Sequence, residues 1–170
     1  MIDLARHIRD IPDFPKPGIV FKDITPLLAD GPAFRATIDR FAEHFRGKVD
    51  VVLGIESRGF IIGAAVAYAL GTGVAIVRKP GKLPFEKHSA SYALEYGTDT
   101  LEIHRDAVDG RQRVLVVDDL LATGGTASAA IELVRRCGAT VVACAFVIEL
   151  AFLGGRKRLA GQEIVSLVQY

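Results

Sequence analysis

The chain has 170 residues, of which 50% are hydrophobic and 24% are charged, and its formal net charge is +1. This length suits one domain with a substantial core, so we expect a single domain over residues 1–170, and the composition excludes a disordered chain. A net charge so close to zero also excludes a general attraction for nucleic acid, so any electropositive site must be local.

The N-terminal sequence and the cysteine content indicate a cytoplasmic protein. The segment MIDLARHIRDIPDF carries charges throughout and lacks the apolar stretch of a signal peptide. The two cysteines, Cys137 and Cys144, form no CxxC pair and lie in apolar runs, where a buried free thiol is the ordinary outcome. We therefore expect a reducing compartment, the cytoplasm.

Apolar residues at helical spacing predict the first long helix. Phe34, Ile38, Phe41 and Phe45 recur every three or four residues, after the typical helix start Asp30-Gly31-Pro32. A second helical pattern, which we expect to end near Gly138, consists of Ala127, Ala130, Ile131 and Val134.

Short aliphatic runs without alternation predict strands that are covered on both faces, as in a parallel sheet. These runs are VDVVLGI (49–55), VAIV (74–77), VLVV (114–117) and VVACAFVI (141–148). Because they alternate with helical patterns, we expect a doubly wound α/β fold with a mostly parallel sheet.

The uncharged stretch FIIGAAVAYALGTGVAIV, residues 60–77, is about long enough to span a bilayer. The sequence GTG, however, divides it into a piece of helix length and a β-branched piece of strand length. We therefore interpret it as a buried helix and strand.

The interval between Pro80 and Asp109 fits neither pattern. It mixes charged and aromatic residues with short β-like pieces, SYALEYG and TLEIH. Long irregular insertions in compact domains are often lids, so we expect a lid here.

The segment VVDDLLATGGT, residues 116–126, has the composition of a phosphate-binding loop. In an open parallel sheet, ligands bind beyond the carboxyl ends of the strands, where N–H groups at the next helix attract anions. The glycines allow close approach of the backbone and the threonines add hydroxyl donors, although the lysine of a GxxxxGK[ST] motif is missing. The residues expected to bind one terminal monophosphate, without a nearby cation, are Ala122, Thr123, Gly124, Gly125 and Thr126.

Two adjacent carboxylates, Asp118 and Asp119, precede this loop. Ionised carboxylates only accept hydrogen bonds, so they suit a ligand that presents hydroxyl groups beside its phosphate. A ribose 5-phosphate has this arrangement, and the two charges would also favour positive charge that develops on the sugar. A solvent-facing turn that merely caps the next helix is the alternative.

The segment VLVVDDLLATGGT, residues 114–126, resembles the phosphoribosyl-diphosphate signature of the type I phosphoribosyltransferases. Other segments resemble the members of this family that act on adenine, namely DFPKPGIVFKDITPLL, GIESRGFIIG, VRKPGKLP, SYALEYGTDTLEIH and SLVQY. The resemblance implies a doubly wound sheet flanked by helices, a small N-terminal hood and a flexible catalytic lid. It also implies a homodimer that transfers the 5-phosphoribosyl group from 5-phosphoribosyl 1-diphosphate to adenine, forming AMP and diphosphate in purine salvage.

The resemblance assigns the diphosphate to two further segments. In ESRGF (56–60), it implies that Ser57 and Arg58 contact the diphosphate, that a cis peptide joins Glu56 to Ser57, and that Arg58 also lies near the base as a catalytic residue. Three cations of VRKPGKLP would bind the same group: Arg78, Lys79 and Lys82. Without this context, such a cluster is often only a solvated patch.

For the base, the resemblance implies backbone contacts from Val20 and stacking by Phe21, where burial in the core is the ordinary alternative. It assigns proton chemistry at the purine to Glu95 and a lid role to Tyr96, where an exposed hairpin is the alternative. The four histidines show no metal-binding spacing. We expect no metal ligands from the protein, and Mg²⁺ that arrives with the diphosphate and is held mostly by its oxygens and water.

Two other functions share part of this pattern. One is a regulator that binds the ribosyl diphosphate without turnover, although the sequence shows no nucleic-acid-binding element and does contain the base and lid motifs. The nearer alternative is a sister enzyme for hypoxanthine, xanthine or orotate.

Overall fold

A computed structural model describes residues 2–93 and 97–170 of the chain. In chain order, its main elements are β1 (Arg9–Pro12), β2 (Val20–Asp23), α1 (Thr25–Ala29), α2 (Gly31–Phe45), β3 (Val51–Ile55), α3 (Arg58–Leu70), β4 (Gly73–Val77), β5 (Lys87–Ala93), β6 (Thr98–His104), β7 (Arg113–Leu121), α4 (Gly125–Arg136), β8 (Thr140–Glu149), α5 (Gly155–Arg158) and β9 (Glu163–Gln169). Short 3-10 turns occur at Leu4–His7 and Ala151–Leu153.

The central sheet has five strands in the order β4-β3-β7-β8-β9, and every neighbouring pair is parallel. The four aliphatic runs form β3, β4, β7 and β8, so the predicted parallel α/β architecture is confirmed. The sequence analysis did not identify β9, whose residues are mostly half-buried rather than buried.

The strands β3, β7 and β8 are buried on both faces, which explains why their sequences lack alternation. One face packs against α2 and α3, where Phe41, Phe45 and Ile62 are fully buried. The other face packs against α4 and the β5–β6 hairpin, which contribute residues such as Leu101 and Leu133.

The predicted helix ends agree with the structure. Helix α2 begins after Asp30, whose carboxylate accepts a hydrogen bond from the Ala33 N–H at 2.8 Å. Helix α4 ends just before Gly138, which has a φ of 86°. Cys137 and Cys144 are both free thiols.

The uncharged stretch at residues 60–77 forms most of α3 and all of β4, as predicted, but it is not buried throughout: Ile61, Tyr68, Val74 and Ile76 are exposed. None of the helices within residues 2–93 and 97–170 combines the length and apolar character needed to cross a membrane.

Two antiparallel hairpins flank the sheet, and each forms a two-stranded sheet of its own, although Glu102 of β6 also bridges to Arg78 directly after β4. Strands β1 and β2 form the N-terminal hood, with Phe21 opposite Ile11. Strands β5 and β6 form the hairpin of the expected lid; residues 91–93 of the first β-like piece lie in β5, and the second piece, TLEIH, lies in β6. Glu95 and Tyr96, at the connection between these strands, lie outside the described residues.

The strand order places a topological switch point between β3 and β7. From β3 the chain passes through α3 to β4 on one side, whereas from β7 it passes through α4 to β8 on the other side. In open parallel sheets, ligands bind at the carboxyl ends of the strands at such a point. The segments that follow β3 and β7 are therefore brought together.

Candidate active site

An open cavity of about 320 Å³ lies at this switch point. Residues from the ends of β3, β4 and β7 line it together with the loop before α4. The predicted site residues in the lining are Ser57, Arg58, Lys79, Asp118, Asp119 and Ala122–Thr126.

The phosphate-like loop connects β7 directly to α4. Gly124 has a φ of 80°, a conformation that favours glycine, and α4 begins at Gly125. The loop therefore ends at the N-terminus of a twelve-residue helix, where backbone N–H groups lack partners within the helix.

Strand β7 extends further than the aliphatic run VLVV at residues 114–117 predicted. It continues through both aspartates to Leu121, because Asp118 pairs with Phe146 and Leu120 with Ile148 of β8. The carboxylates therefore lie on the last part of the central strand rather than in the loop after it.

Arg58 and the backbone of β7 hold the two carboxylates. The Arg58 Nε donates to Asp119 Oδ2 at 2.5 Å, and the Asp119 N–H donates to Asp118 Oδ1 at 2.9 Å. A Cβ atom on Gly59 would lie 2.9 Å from Asp118 Oδ1, so the start of α3 packs against this carboxyl group.

This packing changes the acidity of Asp118. Burial and the adjacent charge of Asp119 raise the pKa of Asp118 well above its ordinary value, despite the weaker opposing effect of Arg58. Without a ligand, one member of the carboxylate pair therefore holds a proton more tightly than an exposed aspartate does.

The turn after β3 carries a second charged group. A cis peptide joins Glu56 to Ser57, as the resemblance implied. The Glu56 carboxylate accepts from the Lys79 N–H at 2.8 Å and from Arg78 Nε at 3.2 Å. Burial alone would raise the pKa of Glu56, but these hydrogen bonds and the charges of Arg78 and Lys82 outweigh it and lower that pKa.

The three cations predicted for the diphosphate occupy different environments. Arg78 pairs with Glu56 outside the cavity lining, and Lys82 is exposed. Lys79 lines the cavity and pairs with Asp99, and it lies 3.3 Å from the Tyr92 hydroxyl. Burial is the largest single effect and lowers the pKa of Lys79, but the hydrogen bonds and charges of Asp99 and Tyr92 together outweigh it, so the pKa of Lys79 is raised.

The two hood residues differ in their placement. The Phe21 ring centroid is 5.6 Å from the Arg58 guanidinium carbon, which places Phe21 beside the cavity. Val20 is 48% exposed and lines a separate apolar groove with Tyr170. Val20 is therefore not a core residue, although its position on β2 leaves its backbone next to Phe21.

The sequence analysis missed several residues around the cavity. Tyr92 and Phe146 line it, and Asp99 holds Lys79. Tyr92 lies in the quoted segment SYALEYG, but only the structure shows that it is buried against the core. Phe146 lies in an aliphatic run, where nothing in the sequence distinguishes a cavity residue from a core residue.

Comparisons with known proteins agree with this geometry. Residues 28–163 match the model of the phosphoribosyl transferase domain. An adenine phosphoribosyltransferase from Syntrophotalea carbinolica is 58% identical over the full length of both chains. The crystal structure of adenine phosphoribosyltransferase from Thermoanaerobacter pseudethanolicus has a TM-score of 0.95 at 54% identity, covering 98% of each chain. The Saccharomyces cerevisiae enzyme, solved with an imino-altritol bisphosphate and adenine, has a TM-score of 0.92 at 41% identity, covering 96% of each chain.

We predict that Asp118→Asn stabilises the ligand-free protein at pH 8. Because the pKa of Asp118 is raised in the folded state, the folded protein binds this proton more tightly than the unfolded chain. The free energy of unfolding therefore falls as pH rises from the ordinary carboxyl pKa towards the raised one. Asparagine cannot ionise and avoids this loss. Each tenfold in proton affinity corresponds to about 1.4 kcal/mol, or roughly 3–6 °C in the unfolding midpoint.

Differential scanning calorimetry between pH 4 and pH 8 checks this prediction. The advantage of the variant should vanish near pH 4, and Asp39→Asn, which removes an exposed carboxylate, should behave as wild type. An Asp118→Asn midpoint at or below that of wild type at pH 8 would contradict it.

Proposed function

Because the chain belongs to the phosphoribosyl transferase domain family, we infer that it transfers the 5-phosphoribosyl group from 5-phosphoribosyl 1-diphosphate to adenine, forming AMP and diphosphate. The fold is that of the type I phosphoribosyltransferases. This inference depends on one observation: the phosphate-like loop, the carboxylate pair and Ser57-Arg58 line the same cavity at the topological switch point of the sheet. Full-length identity to adenine phosphoribosyltransferases supports adenine as the acceptor. We place the activity in the cytoplasm on the sequence grounds given above.

We assign the 5-phosphate to the loop Ala122–Thr126 and the ribose hydroxyls to Asp118 and Asp119. The N–H groups at the start of α4 and the close backbone approach at Gly124 suit a phosphate. The two hydroxyls of the sugar are donors, and the carboxylates next to the loop are acceptors. The carboxylates and the loop are neighbours along the chain, as the diol and the phosphate are neighbours on one ribose 5-phosphate.

We assign the diphosphate to Ser57, Arg58 and Lys79, which line the cavity on the β3 and β4 side. Arg78 and Lys82 do not line the cavity, and their charges instead lower the pKa of Glu56, which leaves Arg58 and Lys79 as the cations of this site. As the C1–O bond breaks, negative charge collects on the departing diphosphate, and these cations stabilise it.

The reaction breaks the C1–O bond to diphosphate and forms a C1–N9 bond to adenine, while N9 loses its proton. The sugar passes through a cationic state, which the charges of Asp118 and Asp119 favour. Catalysis then comes mainly from orientation and electrostatics, and no covalent nucleophile is required. Arg58 is well placed for this step because it lies between Asp119 and the Phe21 ring.

We propose that adenine stacks on Phe21 and bonds to the backbone at Val20. The position of Phe21 next to Arg58 supports this assignment, since the base must meet the sugar above the carboxylate pair. Backbone groups that recognise a 6-amino purine would leave a 6-oxo purine with unpaired polar atoms, which disfavours it.

We propose that Glu95 takes or shares the proton at the purine imidazole edge and that Tyr96 acts on the lid. The lid hairpin approaches the cavity, since Tyr92 lines it and Asp99 bonds to Lys79. A carboxylate carried by a closing lid can reach the base, and closure excludes the water that would capture the sugar cation.

Mg²⁺ is the metal that we expect with the diphosphate. No group of three or more potential ligand side chains is gathered within the described part of the chain, but Asp118 and Asp119 are hard oxygen donors at the cavity. They suit Mg²⁺ that keeps most of its ligands as substrate oxygens and water. When bound, the ion neutralises charge on the leaving group.

We propose a homodimer that buries an apolar face formed by Ile61, Tyr68, Val74 and Ile76. These residues are 38% to 89% exposed, and Tyr68 is the most exposed of them. Val74 and Ile76 pair in register with Val52 and Gly54 of β3, so they lie on the sheet face that α3 covers. Ile61 and Tyr68 are seven residues apart on α3 and share one side of that helix.

A base panel tests the proposed function. The protein should form nucleotide from 5-phosphoribosyl 1-diphosphate, Mg²⁺ and adenine, and at least a hundredfold less with hypoxanthine, xanthine or orotate. Chromatography of the products separates the outcomes. A preference for another base would indicate a sister enzyme, and binding of the ribosyl diphosphate without any nucleotide would indicate a regulator.

We predict that Glu95→Gln lowers kcat by roughly 10²–10⁴, with adenine affinity less affected. Pre-steady-state kinetics should confirm that chemistry limits turnover in the assay. Glu86→Gln is the matched control, because Glu86 precedes the lid hairpin and its side chain is 70% exposed. Retention of more than about half of the wild-type kcat by Glu95→Gln would rule out the proton role.

We predict that wild type sediments as a dimer at micromolar concentration and that Ile76→Lys sediments as a monomer, because a charge would be buried in the apolar face. Phe152→Lys places the same charge on a residue that is 75% exposed elsewhere, and it should remain dimeric. A monomeric wild type would refute the dimer, and a monomeric Phe152→Lys with a dimeric Ile76→Lys would assign the interface to the other surface.

A further inference from the structure

We propose that Arg158, on the short helix α5, supplies positive charge to the phosphate loop and binds the 5-phosphate of the ribosyl substrate. This inference rests on the proposed function and adds a binding residue to it. The loop itself contains no cation, and its sequence therefore predicted a phosphate bound without a nearby positive charge.

Helix α5 packs directly on the phosphate loop. Gly155 is buried, and a Cβ atom there would overlap the Ala122 carbonyl oxygen and lie 2.9 Å from the Leu121 Cδ1. From the other side, a Cβ on Gly124 would lie 2.8 Å from the Gly155 carbonyl oxygen. The backbones of the loop and of α5 are therefore in contact, and this contact requires small residues on both sides.

The same contact brings the Arg158 side chain to the loop. Its Cβ lies 3.4 Å from the position that a Cβ on Gly124 would take. Its Nη1 lies 3.5 Å from the corresponding position on Gly125, the first residue of α4. The guanidinium group thus reaches the point where the loop passes into the helix.

A bidentate ion pair between Arg156 and the buried Glu149 fixes α5 in this position. Arg156 donates from Nε to Glu149 Oε1 and from Nη2 to Glu149 Oε2, both at 2.7 Å. Glu149 is only 4% exposed and ends β8, and it also accepts from Ser166 on β9. Arg156 therefore anchors the helix to the sheet, while Arg158 two residues later points to the loop.

Arg158 does not line the cavity itself but a neighbouring pocket behind the loop, and unlike the two cations of the cavity lining it has no carboxylate partner among the described residues. Arg58 is paired with Asp119 and Lys79 with Asp99. The Arg158 side chain makes neither a hydrogen bond nor an ion pair with the residues that the structure describes. Its five N–H donors are available to an incoming anion.

A positive charge beside the loop would favour phosphate binding for an electrostatic reason. A phosphate monoester carries up to two negative charges at neutral pH, and here it would bind close to Asp118 and Asp119. Neutral N–H and hydroxyl donors satisfy its oxygens but do not offset that repulsion. A guanidinium group on the outer side of the loop donates hydrogen bonds to the phosphate oxygens, and its positive charge offsets the repulsion. Such charge-assisted hydrogen bonds are roughly twice as strong as neutral ones.

The test compares Arg158→Gln with wild type in two assays. In steady-state kinetics, the KM for 5-phosphoribosyl 1-diphosphate should rise about tenfold, while kcat and the KM for adenine change less than about twofold. In calorimetry, the Kd of ribose 5-phosphate should also rise about tenfold, whereas that of free diphosphate should not change. The two probes separate the 5-phosphate contact from the leaving-group site, and calorimetry does not depend on turnover.

Two further variants control for charge and for folding. Lys157→Gln removes the same charge from the neighbouring exposed position, and its ribose 5-phosphate affinity should equal that of wild type. Arg158→Lys keeps the charge and the apolar stem but not the planar fork, so it should recover part of the lost affinity. If Arg158→Gln lowers the unfolding midpoint, Arg158→Lys carries the test, with an intermediate Kd for ribose 5-phosphate as the expected result.

Wild-type affinity of Arg158→Gln for ribose 5-phosphate would overturn the inference. Equal losses for ribose 5-phosphate and diphosphate, or an equal loss in Lys157→Gln, would also overturn it, because they would indicate only a general field. A wild-type protein that makes no AMP would instead refute the proposed function, so the two failures are distinguishable.

Discussion

The site is organised around the two adjacent carboxylates at the end of the central strand, because two negative charges so close together need compensating partners. Asp118 is held against the start of α3, and Asp119 is only 6% exposed, so both charges are kept close together and largely away from water. Burial and mutual repulsion disfavour the doubly ionised state, as the raised pKa of Asp118 shows. Arg58 pairs directly with Asp119 and offsets the cost at Asp118 only in part. A ligand that brings hydroxyl donors and developing positive charge is what makes such a pair favourable.

The fold determines which groups lie close enough to the carboxylate pair to contact the same ligand. Because the chain leaves β3 and β7 in opposite directions, the turns after these strands face each other without a helix between them. One turn begins α3 with Ser57-Arg58, and the other forms the phosphate loop before α4. Sugar, phosphate and leaving group can therefore be contacted from two strand ends, while the hood and the lid hairpin approach from outside the sheet.

The sequence predicted the features that are local and failed on those that depend on distant contacts. Strands β3, β7 and β8 could be identified because burial on both faces produces aliphatic runs, and the phosphate loop because its glycines and threonines are consecutive. Strand β9 lies at the sheet edge and is half-buried, so its pattern is weak. The pairing of Lys79 with Asp99 requires the lid hairpin to fold back on the sheet. The approach of Arg158 depends on Gly155 meeting Ala122, which no local pattern indicates.

Ligand binding at this site is an exchange of partners for most of its charges. When Lys79 binds a diphosphate, its ion pair with Asp99 is weakened or broken, and when Arg58 does so, its ion pair with Asp119 is weakened. Each cation therefore contributes to binding only the difference in free energy between its ion pair with the diphosphate and its ion pair with the carboxylate. Arg158 has no carboxylate partner and is exposed before binding, so it loses only hydrogen bonds to water when it binds an anion. The phosphate end of the cavity is therefore where charge contributes most directly to affinity, whereas the diphosphate end is suited to stabilise charge that appears only as the bond breaks.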